Sequence, residues 1–141
     1  MRKRIYLDMD DKYQIDELIK RFFSILKNKG NQSPDWSIIN ETCLPELLII
    51  KKEGKEQEVY TLETFIAPRK KLLTAGNLIE FEEKEIKEET KIIGNIAQRY
   101  SVYTKKGKLN GTYFTQNGNK LFQLVNIQSG WRINAIVWED V

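Results

Sequence analysis

Leu78-Ile79-Glu80-Phe81-Glu82-Glu83-Lys84-Glu85-Ile86-Lys87-Glu88-Glu89-Thr90-Lys91-Ile92-Ile93 decides the fold. Its run of Glu and Lys favours a helix by intrinsic propensity. Propensity yields to context, however, and the residues after Gly94 are strand-like, so the segment reads as one long solvated strand. Alternate residues of a strand share a face, which puts Glu83 with Glu85. An outer, water-facing side is expected for them, because an unpaired buried carboxylate is costly.

Downstream, strands are expected over Ile96–Tyr103, Leu109–Thr115, Leu121–Ile127 and Trp131–Trp138. The turns between them are read at Lys105-Lys106-Gly107-Lys108, Asn117-Gly118 and Gln128-Ser129-Gly130, giving an antiparallel meander. Upstream, Ile15, Leu18, Ile19, Phe22, Ile25 and Leu26 recur at the spacing of one helix face. Asp10 or Asp11 is expected to cap that helix and Gly30 to end it. Ser33-Pro34-Asp35 opens a short second helix carrying Trp36, Ile38 and Ile39, which ends before Pro45. Leu47–Ile50 and Val59-Tyr60 read as two short strands about Gly54. Thr61 caps a third helix through Leu62, Phe65, Ile66, Leu72 and Leu73, which Pro68 kinks or splits. Helices first and sheet second predict a two-layer α+β domain, and a twisted sheet wrapped around a helix leaves a concave pocket at one end.

The 141 residues suffice for one core, so a single domain over 1–141 is expected. Hydrophobic residues at 40% and charged residues at 30% fit a folded chain and exclude disorder as the main state. The net charge of +3 comes from 23 basic and 20 acidic residues that are interspersed, with no concentrated basic stripe, so nucleic acid is not an expected partner. Met1-Arg2-Lys3-Arg4 is followed by too short an apolar run for an export signal, and no membrane segment is expected. The lone Cys43 fits a reducing compartment, and a cytoplasmic location is expected.

The order of elements, with Gly94-Asn95-Ile96-Ala97-Gln98 through Leu121-Phe122-Gln123-Leu124-Val125 to Gly130-Trp131-Arg132-Ile133, resembles the nuclear transport factor 2-like superfamily. That superfamily includes ketosteroid isomerase, scytalone dehydratase and the SnoaL-like polyketide cyclases. The resemblance spans Ile15 to Trp138 and implies a cone-shaped α+β barrel, with N-terminal helices packed on a strongly curved antiparallel sheet. It also implies pairing of two copies through the outer sheet face. Membership assigns no reaction, since members range from isomerases to non-catalytic modules. At the positions resembling the catalytic groups of ketosteroid isomerase stand Phe22 on the first helix, apolar residues then Lys51 and Lys52 on the first strand, and Gln123 on a late strand. The histidines on which the cyclases and scytalone dehydratase lean have no counterpart.

The chain contains no histidine, the side chain best suited to proton transfer near neutral pH. Ser-His-Asp and Cys-His catalysis and His-ligated metals are thereby excluded, and one cysteine excludes thiolate-cluster zinc. No glycine-rich phosphate loop appears, so neither a cofactor nor a metal is expected. Carboxylate, lysine and tyrosine chemistry remain. Strand alternation points Trp131, Ile133, Ala135 and Val137 to the concave side with Gln123, and Arg132, Asn134, Ile136 and Trp138 outward. Gln123 then either meets a ligand or bonds neighbouring backbone. Trp36, Tyr60 and Phe65 would line the helix side of the pocket or serve as core. Only one of Arg99 and Tyr100 can point inward, the first implying an acidic ligand and the second a neutral one. An outward strip of Ile136 and Trp138, beside Asn134, would form a homodimer face. The expected function is binding of a small, largely apolar molecule without conventional catalysis; an isomerase, dehydratase or cyclase using tyrosine and carboxylate, or a protein-interaction module, are the alternatives.

Overall fold

A computed structural model describes residues 2–141, with side chains from Asp10 onward. The chain runs α1 (Arg2–Ile25), a single 3-10 turn (Lys29–Asn31), α2 (Ile38–Thr42), β1 (Cys43–Glu53), β2 (Glu56–Tyr60) and α3 (Leu62–Thr74). Four long strands follow: β3 (Leu78–Ile93), β4 (Ile96–Leu109), β5 (Thr112–Ile127) and β6 (Gly130–Asp140). The six strands form one sheet ordered β2-β1-β6-β5-β4-β3, antiparallel except where β1 lies parallel to β6. The fold is therefore α+β, and the acidic Leu78–Ile93 segment is a strand.

Helix α1 turns Ile15, Ile19, Phe22, Phe23 and Ile25 onto the sheet, where all are buried. It packs against both β3, at one edge, and β6, with β5 and β4 lying between them, so the sheet bends around it. The helix begins well before Asp10 and Asp11, which lie within it rather than capping it. Asp11 instead accepts the indole N–H of Trp131 at 3.1 Å. Asn28, just beyond α1, is buried and fully used: its amide donates to Leu78 O at 2.7 Å and its Oδ1 accepts from Phe81 N at 2.9 Å. Thr61 and Thr64 form a reciprocal cap at the start of α3, and Pro68 sits inside that helix without splitting it.

Two expected turns are absent. β4 passes straight through Lys105–Lys108 and β5 through Asn117-Gly118, and the reversal between them falls at Asn110-Gly111, with φ of 49° and 88°. Gly107 and Gly118 serve a different purpose from turning the chain. A Cβ on Gly107 would lie 3.1 Å from the Phe81 ring, and one on Gly118 would overlap the Tyr103 phenol. Each glycine leaves room for an aromatic ring to cross its strand.

Besides register shifts between Cys43 and Leu48 on β1 and between Ile79 and Glu82 on β3, two bulges reset the faces beside the helices. One lies between Glu85 and Lys87 on β3, so Glu83 and Glu85 face inward before it and Glu88 and Thr90 after it. The other leaves Asn134 of β6 without an opposite residue, because Leu124 pairs Ile133 and Gln123 pairs Ala135. Past Asn134 the alternation is inverted. Ile136 and Trp138 turn inward and are buried, correcting their expected outward placement, while Ala135 and Val137 turn outward.

Gly118→Ala is expected to cost about 1–3 kcal/mol by crowding Tyr103. Urea denaturation measures it; a change within about 0.5 kcal/mol, as for an exposed turn, would contradict the continuous strand.

Candidate functional site

Between α3, the C-terminal end of α1 and the concave face of the sheet lies a cavity of about 610 Å³. Its inner wall is aromatic. Phe22 meets Phe23 and Phe122 edge to face, and Trp138 stacks on Tyr60 at 6.2 Å and meets Phe65 edge-on at 5.6 Å. Ile49 and Ile136 continue that wall from neighbouring strands in register. Such a surface favours an apolar guest by area and by ring–ring contact.

Polar groups enter this wall in pairs. Lys120 Nζ lies 2.6 Å from Glu83 Oε2, with both side chains below one-tenth exposed, and the ammonium also sits 4.6 Å from the Tyr103 ring centre and 5.0 Å from that of Phe23. A buried charge requires such compensation. The Tyr103 hydroxyl donates to Asp140, whose carboxylate also lies 3.2 Å from Lys105. Burial pushes the Asp140 carboxyl up, but the Tyr103 hydroxyl and the Lys105 ammonium outweigh it and hold the group below its ordinary value. Burial, reinforced by the bond to Asp140, pushes the Tyr103 phenol up, so it stays a neutral donor.

At the rim, Tyr60 donates to Glu58, and burial together with that carboxylate raises the Tyr60 phenol. Arg69, one turn after Phe65 on α3, lays its guanidinium 3.8 Å from the Phe65 ring centre and donates from Nη1 to Phe65 O at 3.0 Å. The same guanidinium is 5.4 Å from the Tyr60 ring and 5.6 Å from that of Trp138.

Of the residues expected at the pocket, Tyr60 and Phe65 line this cavity. The others lie elsewhere. Trp36 is half-buried against the core in the turn before α2, and Trp131 is core, held by Asp11. Gln123 is exposed on the convex face, over a shallow hollow of about 440 Å³, because β5 turns Lys120, Phe122 and Leu124 inward instead. The open choice between Arg99 and Tyr100 is settled: Tyr100 faces out and its hydroxyl donates to Asn119. Arg99 faces in, where it is 3% exposed, bidentate on Glu85 and 2.5 Å from Asp16, so its guanidinium is taken up by the chain's own carboxylates. Glu83 and Glu85, expected on a solvated face, are thus the partners of two buried cations. Of the expected dimer face, Ile136 and Trp138 line the cavity and Asn134 occupies the bulge.

Arg69, Lys120 and Tyr103 were not singled out from the sequence. A signal existed for Arg69, whose spacing of four from Phe65 puts both on one helix face; Lys120 and Tyr103 depend on the strand phase. Cys43 is buried, and that burial pushes its thiol up to about 11, so it is a poor nucleophile. Among the described residues no three His, Cys, Asp or Glu side chains are placed to hold a metal ion. No described helix is long and apolar enough to cross a membrane.

A bent sheet closed by helices over a hollow defines a cone-shaped α+β barrel with an internal pocket. Solved structures give that architecture its name. A protein from Kribbella flavida superposes with a TM-score of 0.76 at 15% identity, over 94% of this chain and 92% of its own. A nuclear transport factor 2-like superfamily protein from Salmonella enterica serovar Typhimurium gives 0.73 at 17% identity, over 93% and 91%. A nuclear transport factor 2-like protein from Cytophaga hutchinsonii gives 0.70 at 17%, over 90% and 95%. The chain has the nuclear transport factor 2-like fold. No family model matches the sequence, and no curated protein does.

Because the fold lowers the Asp140 carboxyl, its contribution to stability is present above the ordinary value of 3.8 and is lost as pH falls through the lower, folded value. Asp140→Asn should lower stability at neutral pH and make the acid decline shallower, read as urea midpoints between about pH 2 and pH 6. A decline as steep as the parent's would remove Asp140 from the account.

Proposed function

We propose that this protein binds a small, largely apolar molecule in the concave cavity, without catalysis of the conventional acid–base kind. The observation that carries this reading is the hollow of about 610 Å³ walled by Tyr60, Phe65 and Trp138. Side chains do not fill it, and its size falls in the range of small-molecule sites. Its ionisable groups work against proton transfer. Tyr103 and Tyr60 are both raised, and Glu83 is committed to Lys120. The pairing of Tyr60 with Glu58 at the rim is the one observation that favours the isomerase or dehydratase alternative. The lone, buried Cys43 supports a reducing, cytoplasmic setting.

The reading includes a homodimer through the convex face of the sheet. Register places Ile50, Val137, Leu121 and Tyr100 in one row across four strands, with Leu48, Ala135 and Gln123 in the next. Leu121 is 53% exposed and Leu48 47%, an apolar band of the kind that protein contacts cover.

Nile red, an uncharged apolar dye, should bind saturably with an emission shift. Leu72→Trp, at the partly exposed rim, should abolish that binding while stability stays within about 0.5 kcal/mol. Undiminished dye binding by the folded variant would end the pocket reading. Sedimentation should show a dimer that Leu121→Lys converts to a folded monomer; a monomeric parent at micromolar concentration would exclude the dimer.

A further inference from the structure

The charges around the cavity are unequally matched. Four cationic side chains reach its lining: Lys51, Arg69, Lys105 and Lys120. Three have a carboxylate nearby, with Lys51 3.4 Å from Glu53, Lys105 3.2 Å from Asp140 and Lys120 2.6 Å from Glu83. Arg69 makes no ion pair within 4.0 Å among the described residues.

Arg69 is nevertheless firmly placed. Its guanidinium lies over Phe65, with Tyr60 and Trp138 beside it, and Nη1 is bonded back to the helix at Phe65 O. Stacking uses the faces of a guanidinium and leaves its in-plane N–H groups available. Nε and Nη2 make no hydrogen bond within 3.5 Å to the described residues; the Tyr60 hydroxyl, which donates to Glu58, acts on the guanidinium from farther off, and fork N–H groups remain for a further acceptor. A planar carboxylate accepts two parallel N–H bonds from such a fork. Burial disfavours the charged guanidinium, which an arriving anion would offset. Glu58, the other rim carboxylate, is occupied by the Tyr60 hydroxyl.

We infer that the cavity takes an amphipathic carboxylate, its apolar body against Phe65, Trp138 and Ile136 and its carboxylate held edge-on by Arg69. This rests on the pocket reading above and adds the charge and position of the head group. Arg69 is a binding residue, and the three lysines, each matched by its own carboxylate, do not compete for the head.

Calorimetric titration with dodecanoate and naphthoate, each beside its uncharged primary amide, separates the two levels of the argument. Each acid is expected to bind at least tenfold more tightly than its amide. Arg69→Gln should lower acid affinity at least tenfold and so erase that preference. Equal binding of acid and amide by the parent overturns the carboxylate inference while the pocket reading stands. If none of the four probes binds, both fall. A folded Arg69→Gln that keeps the tenfold preference also overturns the inference. Should Arg69→Gln not fold, Arg69→Lys keeps a point charge without the fork; the preference should fall severalfold, and an unchanged preference counts against the inference.

Discussion

One unpaired residue on β6 determines what the hollow is made of. Asn134 has no partner across the ladder, so the strand's alternation inverts there, and Ile136 and Trp138 arrive on the same face as Trp131 and Ile133. Without that extra residue, Ala135 and Val137 would face the helices, and the aromatic group of Tyr60, Phe65 and Trp138 could not form. The bulge also frees a row of small and aliphatic side chains for the convex surface. The character of both faces of β6 beyond Asn134 thus follows from a single backbone irregularity.

The bent sheet imposes a second constraint. Its inner face carries charge as well as hydrocarbon, and that charge is tolerated because it is matched. Glu85 and Asp16 hold Arg99 between β3 and α1, and Lys12 extends the network to Asp16 at 2.7 Å and Glu88 at 2.9 Å. Glu83 holds Lys120 on the cavity side. Breaking one member of such a pair strands its partner in a low-dielectric interior, so these contacts fix α1 on the sheet and the strands in register more than they add net stability. Against this matched background, Arg69 is the cavity-lining cation that has no carboxylate within 4.0 Å among the described residues.

The helices and the strand character of Leu78–Ile93 were legible because they rest on local pattern: the periodicity of α1, and strand-like neighbours overruling the helical propensity of a Glu/Lys run. The turns were less so. Glycine serves either to allow positive φ, as at Asn110-Gly111, or to make room for a ring, as at Gly107 and Gly118, and one letter stands for both. Strand phase after Asn134 was not legible at all, since nothing in Ile133-Asn134-Ala135 announces a bulge. That single error exchanged the expected inner and outer faces of β6 beyond Asn134, while Trp131 and Ile133 face inward as expected. The phase of β5, misjudged too, put Gln123 in the pocket in place of Lys120. The inward carboxylates were missed because their cations, Arg99 and Lys120, lie 14 and 37 residues away along the chain.

The proposed ligand would sit inside the cone, against a wall that the β6 bulge creates. Intermolecular nuclear Overhauser contacts from bound naphthoate test it most directly. Cross-peaks to the Trp138 indole and the Phe65 ring, and none to Trp131, are the result this account predicts. Cross-peaks to Tyr100 and Leu121 instead would place the molecule on the convex face and contradict it.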